Sequence, residues 1–321
     1  MFERILVPLD GSARAELILS QVARILQRED SEILLLRVVD VPAAVGRVSL
    51  REFRELEREE AQKYVHNLVR RFRDRGVKIH GKVAEGPPAE VILETARTEG
   101  ATLIAMSTHG RTGLARWALG SITEKVARAS TIPLLLVRSF RRTAKGDLEP
   151  VMAEELPFRR ILVPVDGSPT SMSILGPAVK FGQLYGSEVL VLHVETPYVP
   201  PSPVLPGMDV VLPAMVPAPT PSEKDPVTEK AAKRFTQAGL QATRRTTVGE
   251  PAMEILDLSV NRGMDLIALG THGRSGLSRW AVGSVAERVL RSTEVPLLLI
   301  RTPALARPAR RSASRKEYAR N

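Results

Sequence analysis

Two stretches of this chain each occur twice. ILVPLDGS at residues 5–12 returns as ILVPVDGS at residues 161–168, an offset of 156. THGRTGLARWALGS at residues 108–121 returns as THGRSGLSRWAVGS at residues 271–284, an offset of 163. Because self-similarity at a fixed spacing is typical of duplicated structural units, the sequence predicts a tandem of two similar domains.

The domain boundaries follow from the ends of the two copies. A length of 321 residues suits two domains of ordinary size. The copies close alike, with PLLLVR at residues 133–138 and PLLLIR at residues 296–301. The second copy is seven residues longer, and the proline-rich stretch 197–226 is where we place the insertion. That stretch either covers the second site or is a tolerated surface insertion. The predicted divisions are domain 1 at 1–140, a linker at 141–157, domain 2 at 158–302 and a tail at 303–321.

Within each copy, short aliphatic runs alternate with longer segments of helical period. In the first copy the periodicity predicts helices over residues 12–28 and 49–75, the second beginning with a capping box formed by Ser49 and Glu52. Near-continuous Ile, Leu and Val content is typical of parallel strands buried on both faces. Alternating strands and helices predict an α/β fold in which helices cover both faces of a parallel sheet. The predicted strands begin at Ile5, Glu32, Lys78, Thr102 and Pro133.

Composition excludes several classes of protein and site. Hydrophobic residues make up 43% and charged residues 26%, as in ordinary globular proteins. With no cysteine, the chain has no disulfides, no cysteine nucleophile and no Cys-ligated metal. Only a short apolar run precedes Asp10, so we expect neither a signal peptide nor a membrane anchor, and we expect a cytoplasmic location.

The net charge of +10 raises the possibility of a nucleic-acid partner. Half of this excess lies in residues 302–321, where six basic residues face a single acid in a Pro/Ala/Arg/Ser-rich segment. We interpret the segment as a disordered, solubilising tail, with an arm that binds polyanions as the alternative.

Candidate ligand-binding residues are sought at the carboxyl ends of the strands, where open α/β sheets bind their ligands. Asp10 and Asp166 follow the first strand of each copy, ahead of helices that Ser12 and Ser168 are expected to cap. A carboxylate here could accept hydrogen bonds from ribose hydroxyls or help hold a divalent cation that bridges phosphates. A turn-forming Asx residue is the alternative.

The loop after the fourth strand carries the second group of candidates. In the second copy Gly270, Gly273 and Gly283 let consecutive N–H groups turn inward and hold an anion, and the following helix adds its uncommitted N–H donors. Ser284 with Glu287, like Ser121 with Glu124, also fits a capping box. Neither a GxxxxGK[ST] phosphate loop nor a GxGxxG fingerprint is present.

Together these residues resemble a known family. An aspartate after a VPL strand, with a later loop of form G-x2-G-x9-G-[ST], resembles the ATP-binding branch of the universal stress protein family over almost all of both copies. Gly270, Gly273, Gly283 and Ser284 match the loop completely. In the first copy Ser107 replaces the first glycine, and its Cβ is expected to narrow the space for a phosphate.

The resemblance implies a fold and a site. Each domain is expected to have an open five-stranded parallel sheet in the order 3-2-1-4-5, of the adenine nucleotide alpha hydrolase type. The fifth strands, 133–137 and 296–300, are expected to pair as an internal pseudo-dimer, which also covers exposed sheet edges; a homodimer is possible. Adenine is expected at Val38 and Val194, ribose at Asp10 and Asp166, and phosphates on the glycine loops. The expected contact residues are Pro8, Leu9, Asp10, Val38, Met106, Ser107, His109, Gly110, Gly120, Ser121, Ile122 and Thr123 in domain 1, and Pro164, Val165, Asp166, Val194, Leu269, Gly270, His272, Gly273, Gly283, Ser284 and Val285 in domain 2.

The functional expectation is a stress or regulatory protein that binds ATP, with AMP or cyclic AMP as other candidates and Mg or Mn accompanying the phosphates. We assign no catalytic residue and expect slow hydrolysis at most, because no second acidic residue recurs at a spacing that would suggest a two-metal site. Two alternatives stay open: an ATPase or adenylyl-transfer enzyme, and a protein that binds polyanions through its basic tail. A membrane partner is not expected, and a nucleic acid is not the favoured partner.

Overall fold

A computed structural model describes residues 2–26, 31–40, 50–108, 119–138, 140–142, 148–150, 158–196, 221–222, 224–271 and 283–301. Domain 1 contains β1 (Arg4–Leu9), α1 (Ala13–Leu26), β2 (Glu32–Val39), α2 (Leu50–Arg73), β3 (Ile79–Glu85), α3 (Pro88–Thr98), β4 (Leu103–Ser107), α4 (Ser121–Ala129) and β5 (Leu134–Val137). Two short antiparallel strands follow, β6 (Phe140–Arg142) and β7 (Leu148–Pro150). Domain 2 contains β8 (Arg160–Pro164), α5 (Pro169–Met172), α6 (Leu175–Tyr185), β9 (Glu188–Glu195), α7 (Pro226–Gln237), β10 (Ala242–Val248), α8 (Pro251–Asn261), β11 (Leu266–Gly270), α9 (Ser284–Ser292) and β12 (Leu297–Ile300).

The strand order confirms the expected topology. The strands of domain 1 lie in the order β3-β2-β1-β4-β5 and those of domain 2 in the order β10-β9-β8-β11-β12, with parallel pairing throughout each set. The winding direction therefore reverses between β1 and β4 and again between β8 and β11. Ligand sites in open α/β sheets lie at such reversal points, outside the carboxyl ends of the strands.

The fifth strands join the two sheets into one. β12 pairs with β5 in antiparallel fashion, with Leu298 opposite Leu135, and the result is a ten-stranded sheet. Both leucines are fully buried. This pairing is the one that the family resemblance implied. It leaves β3 and β10 as the outer strands of the sheet.

Helices cover both faces of the sheet. On one face, Leu35 of β2 packs in a cluster with Ile18 of α1 and Phe72 of α2. On the other face, Leu36 packs with Ile92 of α3 and with residues of α4. The prediction that all five strands are buried on both faces is wrong for β3, because only Ile79 is buried in this edge strand. The helices α5, α6 and α7 occupy in domain 2 the face that α1 and α2 occupy in domain 1.

Charged residues also cross the seam between the domains. Arg128 of α4 lies 2.6 Å from Glu287 of α9, and Arg291 of α9 lies 2.6 Å from Glu124 of α4. These side chains are one-quarter to one-half exposed. Partly exposed ion pairs contribute roughly 0–1 kcal/mol each. The apolar seam is therefore the larger source of attraction between the domains, and the ion pairs fix how α4 and α9 face each other.

Several sequence-based expectations fall on residues outside the described ranges: the capping residue Ser49, most of the stretch 197–226, most of the linker 141–157 and the tail. The described part of the linker forms β6 and β7, and the domain boundaries stay a prediction. None of the described helices combines the length and the apolar character needed to cross a membrane.

Candidate functional site

The chain turns sharply after the first strand of each domain. Gly11 has a φ of 87° and Gly167 a φ of 78°, values that glycine adopts without strain. Oδ1 of Asp10 accepts a 2.9 Å hydrogen bond from the N–H of Ser12, and Oδ1 of Asp166 accepts one of the same length from Ser168. Both aspartates therefore form the Asx turn that was the alternative reading. A turn that uses Oδ1 does not prevent the same carboxylate from facing a ligand.

The serines after these aspartates cap the next helix, as predicted. Oγ of Ser12 accepts a 3.2 Å hydrogen bond from the N–H of Ala15, and Oγ of Ser168 accepts one of 3.1 Å from Ser171. In domain 2 a second bond, from Oγ of Ser171 to the carbonyl of Ser168, closes the turn further. The aspartates are thus held by the start of the helix behind them.

The start of α9 lies beside the end of the fourth strand of domain 2. Gly283 is the N-cap residue, and its N–H donates a 2.6 Å hydrogen bond to the carbonyl of Thr271. The first turn of a helix has N–H groups without intrahelical partners, and they attract anions. The capping-box interpretation is wrong for Ser284, since it is already the first helical residue and its side chain makes no capping hydrogen bond. The same holds for Ser121 behind the N-cap Gly120.

Domain 2 has a cavity of about 520 Å³ at the carboxyl ends of its strands. Asp166, Gly270 and the start of α9 all line it. The cavity lies at the reversal point between β8 and β11. Of the residues expected from the sequence, it is lined by Pro164, Val165, Asp166, Val194, Leu269, Gly270, Gly283, Ser284 and Val285.

Domain 1 has the corresponding cavity, with a volume of about 320 Å³. Asp10 and the start of α4 both line it. Ser107 lines it at the position that Gly270 has in domain 2. Of the expected residues, it is lined by Pro8, Leu9, Asp10, Val38, Met106, Ser107, Gly120, Ser121, Ile122 and Thr123. The remaining expected residues, His109, Gly110, His272 and Gly273, lie outside the described ranges.

Sequence reasoning missed a buried pair in the cavity of domain 2. His193 of β9 lines the cavity, and its Nδ1 lies 2.9 Å from Oδ2 of Asp225. Both residues are buried. An ionised carboxylate only accepts hydrogen bonds, so Nδ1 carries the proton and Nε2 is the ring nitrogen left for a ligand. Asp225 stands 32 residues further along the chain, and no local pattern connects it with His193.

Hydrogen bonds stabilise the charged form of Asp225. Burial alone raises the pKa of this carboxyl, but the bonds from the Val227 N–H, from His193 and from the Thr246 hydroxyl outweigh it, so its pKa lies below the ordinary value. Val227 donates to Oδ1 over 2.9 Å, and Thr246 donates to Oδ2 over 3.0 Å. Asp225 is thereby both the N-cap of α7 and the anchor of His193.

The cavity of domain 1 carries a different set of charges at this end. Arg37 stands where domain 2 has His193, and its Nη1 donates a 2.8 Å hydrogen bond to the carbonyl of Val38. Asp40 and Glu57 add two carboxylates to the lining. The rule that ligands bind at strand ends could have found Arg37 and Asp40, which flank Val38. In the described part of the chain, no three His, Asp or Glu side chains are grouped so that they could hold a metal ion.

Comparison with known proteins identifies the family. The model of the universal stress protein family matches residues 1–138 and 157–301, which together are most of the chain. The chain belongs to the universal stress protein family. A universal stress protein of Methanocaldococcus jannaschii is 36% identical over 141 residues, which cover 43% of this chain and 83% of that protein. One from Mycolicibacterium smegmatis is 24% identical over 315 residues, covering 92% of this chain and 96% of its own length.

A solved structure of the family shares the fold over both domains. The crystal structure of a universal stress protein from Archaeoglobus fulgidus covers 94% of this chain and 99% of its own, with a TM-score of 0.68 and 19% identity. A universal stress protein solved in complex with cAMP covers 44% of this chain and 95% of its own, with a TM-score of 0.32 and 20% identity.

Proposed function

We propose that this universal stress protein binds an adenine nucleotide, with ATP as the first candidate, in the cavity of each domain. The observation that carries the proposal is the cavity of domain 2, which Asp166 lines together with Gly270, Gly283 and the amide-rich start of α9. A carboxylate recognises ribose hydroxyls, and main-chain N–H groups at a helix start recognise phosphate. These two features in one cavity suit the two polar parts of a nucleotide.

The residues of the cavity divide into three roles in this proposal. Val194 and Val38, at the ends of β9 and β2, contact the base. Asp166 and Asp10 accept hydrogen bonds from the ribose. The first-turn amides of α9 and α4 bind the phosphates, with Ser284 and Ser121 adding hydroxyls that no capping bond engages. His272, Gly273, His109 and Gly110 would complete the phosphate loops. Magnesium is commonly held by one or two carboxylates and the phosphates of a nucleotide, and Asp166 or Asp10 could supply such a carboxylate for Mg or Mn.

Titration calorimetry with ATP, AMP and cyclic AMP tests the proposal on the full chain. We expect ATP to bind with a stoichiometry above one per chain, and mass spectrometry of ligand released from freshly purified protein to identify the nucleotide. Phosphate release is followed in the same samples, because turnover well above background that Asp166→Ala abolishes would favour an ATPase. If no nucleotide is released and none gives heat at high protein concentration, the proposal is wrong.

The duplication offers a reciprocal test of the glycine position. Gly270→Ser should weaken nucleotide binding in domain 2 by about tenfold, because added atoms in a filled site cost about 1–3 kcal/mol. Ser107→Gly should strengthen binding in domain 1. Gly270 lies in the extended backbone of β11, which serine adopts without strain. Calorimetry of both variants measures the two sites separately.

The matched control for this swap is Gly176→Ser in α6, where an added Cβ meets no atom within 4 Å. This variant should bind nucleotide as the wild type does. Equal affinities in Gly270→Ser and the wild type would show that the phosphates do not approach β11.

A further inference from the structure

Domain 2 has another cavity, at the opposite end of its sheet. It has a volume of about 430 Å³ and lies where β8, β9 and β10 begin and α8 ends. We call it the arginine pocket, because four arginines and one carboxylate line it. They are Arg160, Arg244, Arg245, Arg262 and Glu188.

Domain 1 contains the equivalent positions and serves as an internal comparison. Arg4 and Arg160 open β1 and β8, and Glu32 and Glu188 open β2 and β9. Lys82 and Arg245 each hold the fourth position, of β3 and β10 respectively. The charge of the residue that caps the end of the helix differs between the domains. The C-cap residue of α3 is Glu99, whereas that of α8 is Arg262.

In domain 1 the charges neutralise one another. Nζ of Lys82 lies 2.5 Å from a carboxylate oxygen of Glu99, and this ammonium holds the pKa of Glu99 below its ordinary value. The guanidinium of Arg4 donates to the carboxylate of Glu32 and to the main-chain carbonyl of Glu99. His80 lies 3.5 Å from the other oxygen of Glu32. Every cation of this group thus faces an oxygen of the protein itself.

In domain 2 the same group is left with excess positive charge. Arg262 replaces the carboxylate that would pair with Arg245, and within the described ranges Arg160, Arg245 and Arg262 form no ion pair with a carboxylate. A Cβ on Gly263 would lie 2.9 Å from Nη2 of Arg160, so this guanidinium rests on the residue next to Arg262.

The carboxylates around the pocket do not balance this charge. Glu229 lies 3.8 Å from Arg244, and both side chains are about half exposed or more. Asp265 accepts a hydrogen bond from the main-chain N–H of Arg160 rather than from its guanidinium. Glu188 is the one carboxylate in the lining. Like charges held close together repel, and a bound anion relieves that repulsion.

We propose that the arginine pocket binds a small soluble anion that carries two or more phosphoryl groups. Guanidinium groups present a planar array of N–H donors that matches phosphate oxygens, and four exposed arginines line this pocket. The volume suits a small ligand. The site is distinct from the proposed nucleotide cavity, because residues 188–190 at the start of β9 line the arginine pocket, whereas residues 192–195 at its end line the nucleotide cavity.

The test uses inorganic tripolyphosphate and the full chain at low ionic strength. Wild-type protein should bind tripolyphosphate with an affinity that falls as salt is added. Arg262→Glu recreates the ion pairing of domain 1, so it should lower this affinity at least about tenfold, a change of about 1.4 kcal/mol. The matched control is Arg54→Glu, the same change of charge on an exposed residue of α2 in domain 1. This variant should bind as the wild type does.

Three results would overturn the inference. The first is that the wild type does not bind tripolyphosphate. The second is that the wild type and Arg262→Glu bind it equally, which would place the anion on the basic tail or in the nucleotide cavities. Equal loss in both variants is the third, because it would indicate a general effect of net charge. Decathymidylate is titrated in parallel. Tighter binding of this phosphodiester chain at the same arginines would also overturn the inference, because the ligand of the pocket would then be a nucleic acid.

Discussion

Leu298→Asp is expected to lower the free energy of unfolding by about 4 kcal/mol or more, because it combines the loss of a buried leucine with the burial of a carboxylate. Leu298 lies opposite Leu135 where β12 meets β5, and neither side chain has exposed surface. The ion pairs between α4 and α9 lie on the other face of the sheet, because Leu298 packs in the cluster that contains Leu135, whereas α4 and α9 pack in the cluster of the opposite face. Urea denaturation followed by circular dichroism measures the change.

The control for this substitution is an exposed leucine outside the seam. Leu56 of α2 is 62% exposed, and Leu56→Asp should change stability by less than about 1 kcal/mol. Hydrogen exchange by mass spectrometry adds a local measure: peptides of β5 and β12 should lose protection in Leu298→Asp and keep it in Leu56→Asp. Unchanged protection and an unchanged urea midpoint in Leu298→Asp would mean that the two domains do not share a sheet in solution.

The fold was largely predictable because its determinants are local. Aliphatic runs and helical periodicity placed the strands of domain 1, and the repeat transferred the assignment to domain 2. β3 departed from the pattern since an edge strand keeps one side toward solvent, and IHGKVAE is accordingly polar. The first helix of domain 2 is divided into α5 and α6. The sequence signals this break, because Pro177 in the first turn of α6 has no N–H to donate to the carbonyl of Ser173, where α5 ends.

The candidate site was predictable only in part. Motifs contiguous in sequence, such as Asp166 with Gly167 and Ser168, indicated which residues would line the cavity. The pairing of His193 with Asp225 depends on where α7 begins relative to β9, and only the packing of the two elements determines that. The capping-box interpretation of Ser284 failed because the box pattern does not say whether the serine or the preceding glycine is the cap.

The two copies have diverged at both ends of their sheets. At the carboxyl ends, Arg37 of domain 1 corresponds to His193 of domain 2, and the two cavities differ in volume. At the amino ends, Glu99 of domain 1 corresponds to Arg262 of domain 2. The charges of the cluster are therefore paired in domain 1, whereas positive charge is in excess in domain 2. A duplicated chain can keep one domain as a conventional site while the other changes its ligand, since the two cavities lie at separate reversal points of the sheet. The seam through β5 and β12 joins both domains in one sheet.

Asp225→Ala is expected to lower the free energy of unfolding by about 3 kcal/mol, because it removes both a helix cap and one member of a buried pair. The depressed pKa of Asp225 sets the pH dependence. A carboxyl whose pKa is lower in the folded than in the unfolded protein stabilises above the unfolded value and loses that contribution as pH falls through the folded one. The difference between wild type and variant should therefore be full at pH 7 and shrink below about pH 4.

Two variants separate the contributions to this effect. Glu250→Ala removes the N-cap of α8, where the glutamate is exposed and accepts hydrogen bonds from Ala252 and Met253, so it should cost about 1 kcal/mol. Asp225→Asn keeps an oxygen for the Val227 N–H but loses the charge beside His193. The free energy of unfolding of Asp225→Asn should lie between those of the wild type and Asp225→Ala. Hydrogen exchange should localise the effect of this variant to β9 and β10. If Asp225→Ala cost no more than Glu250→Ala, Asp225 would act only as a cap and His193 would be held in place by packing alone.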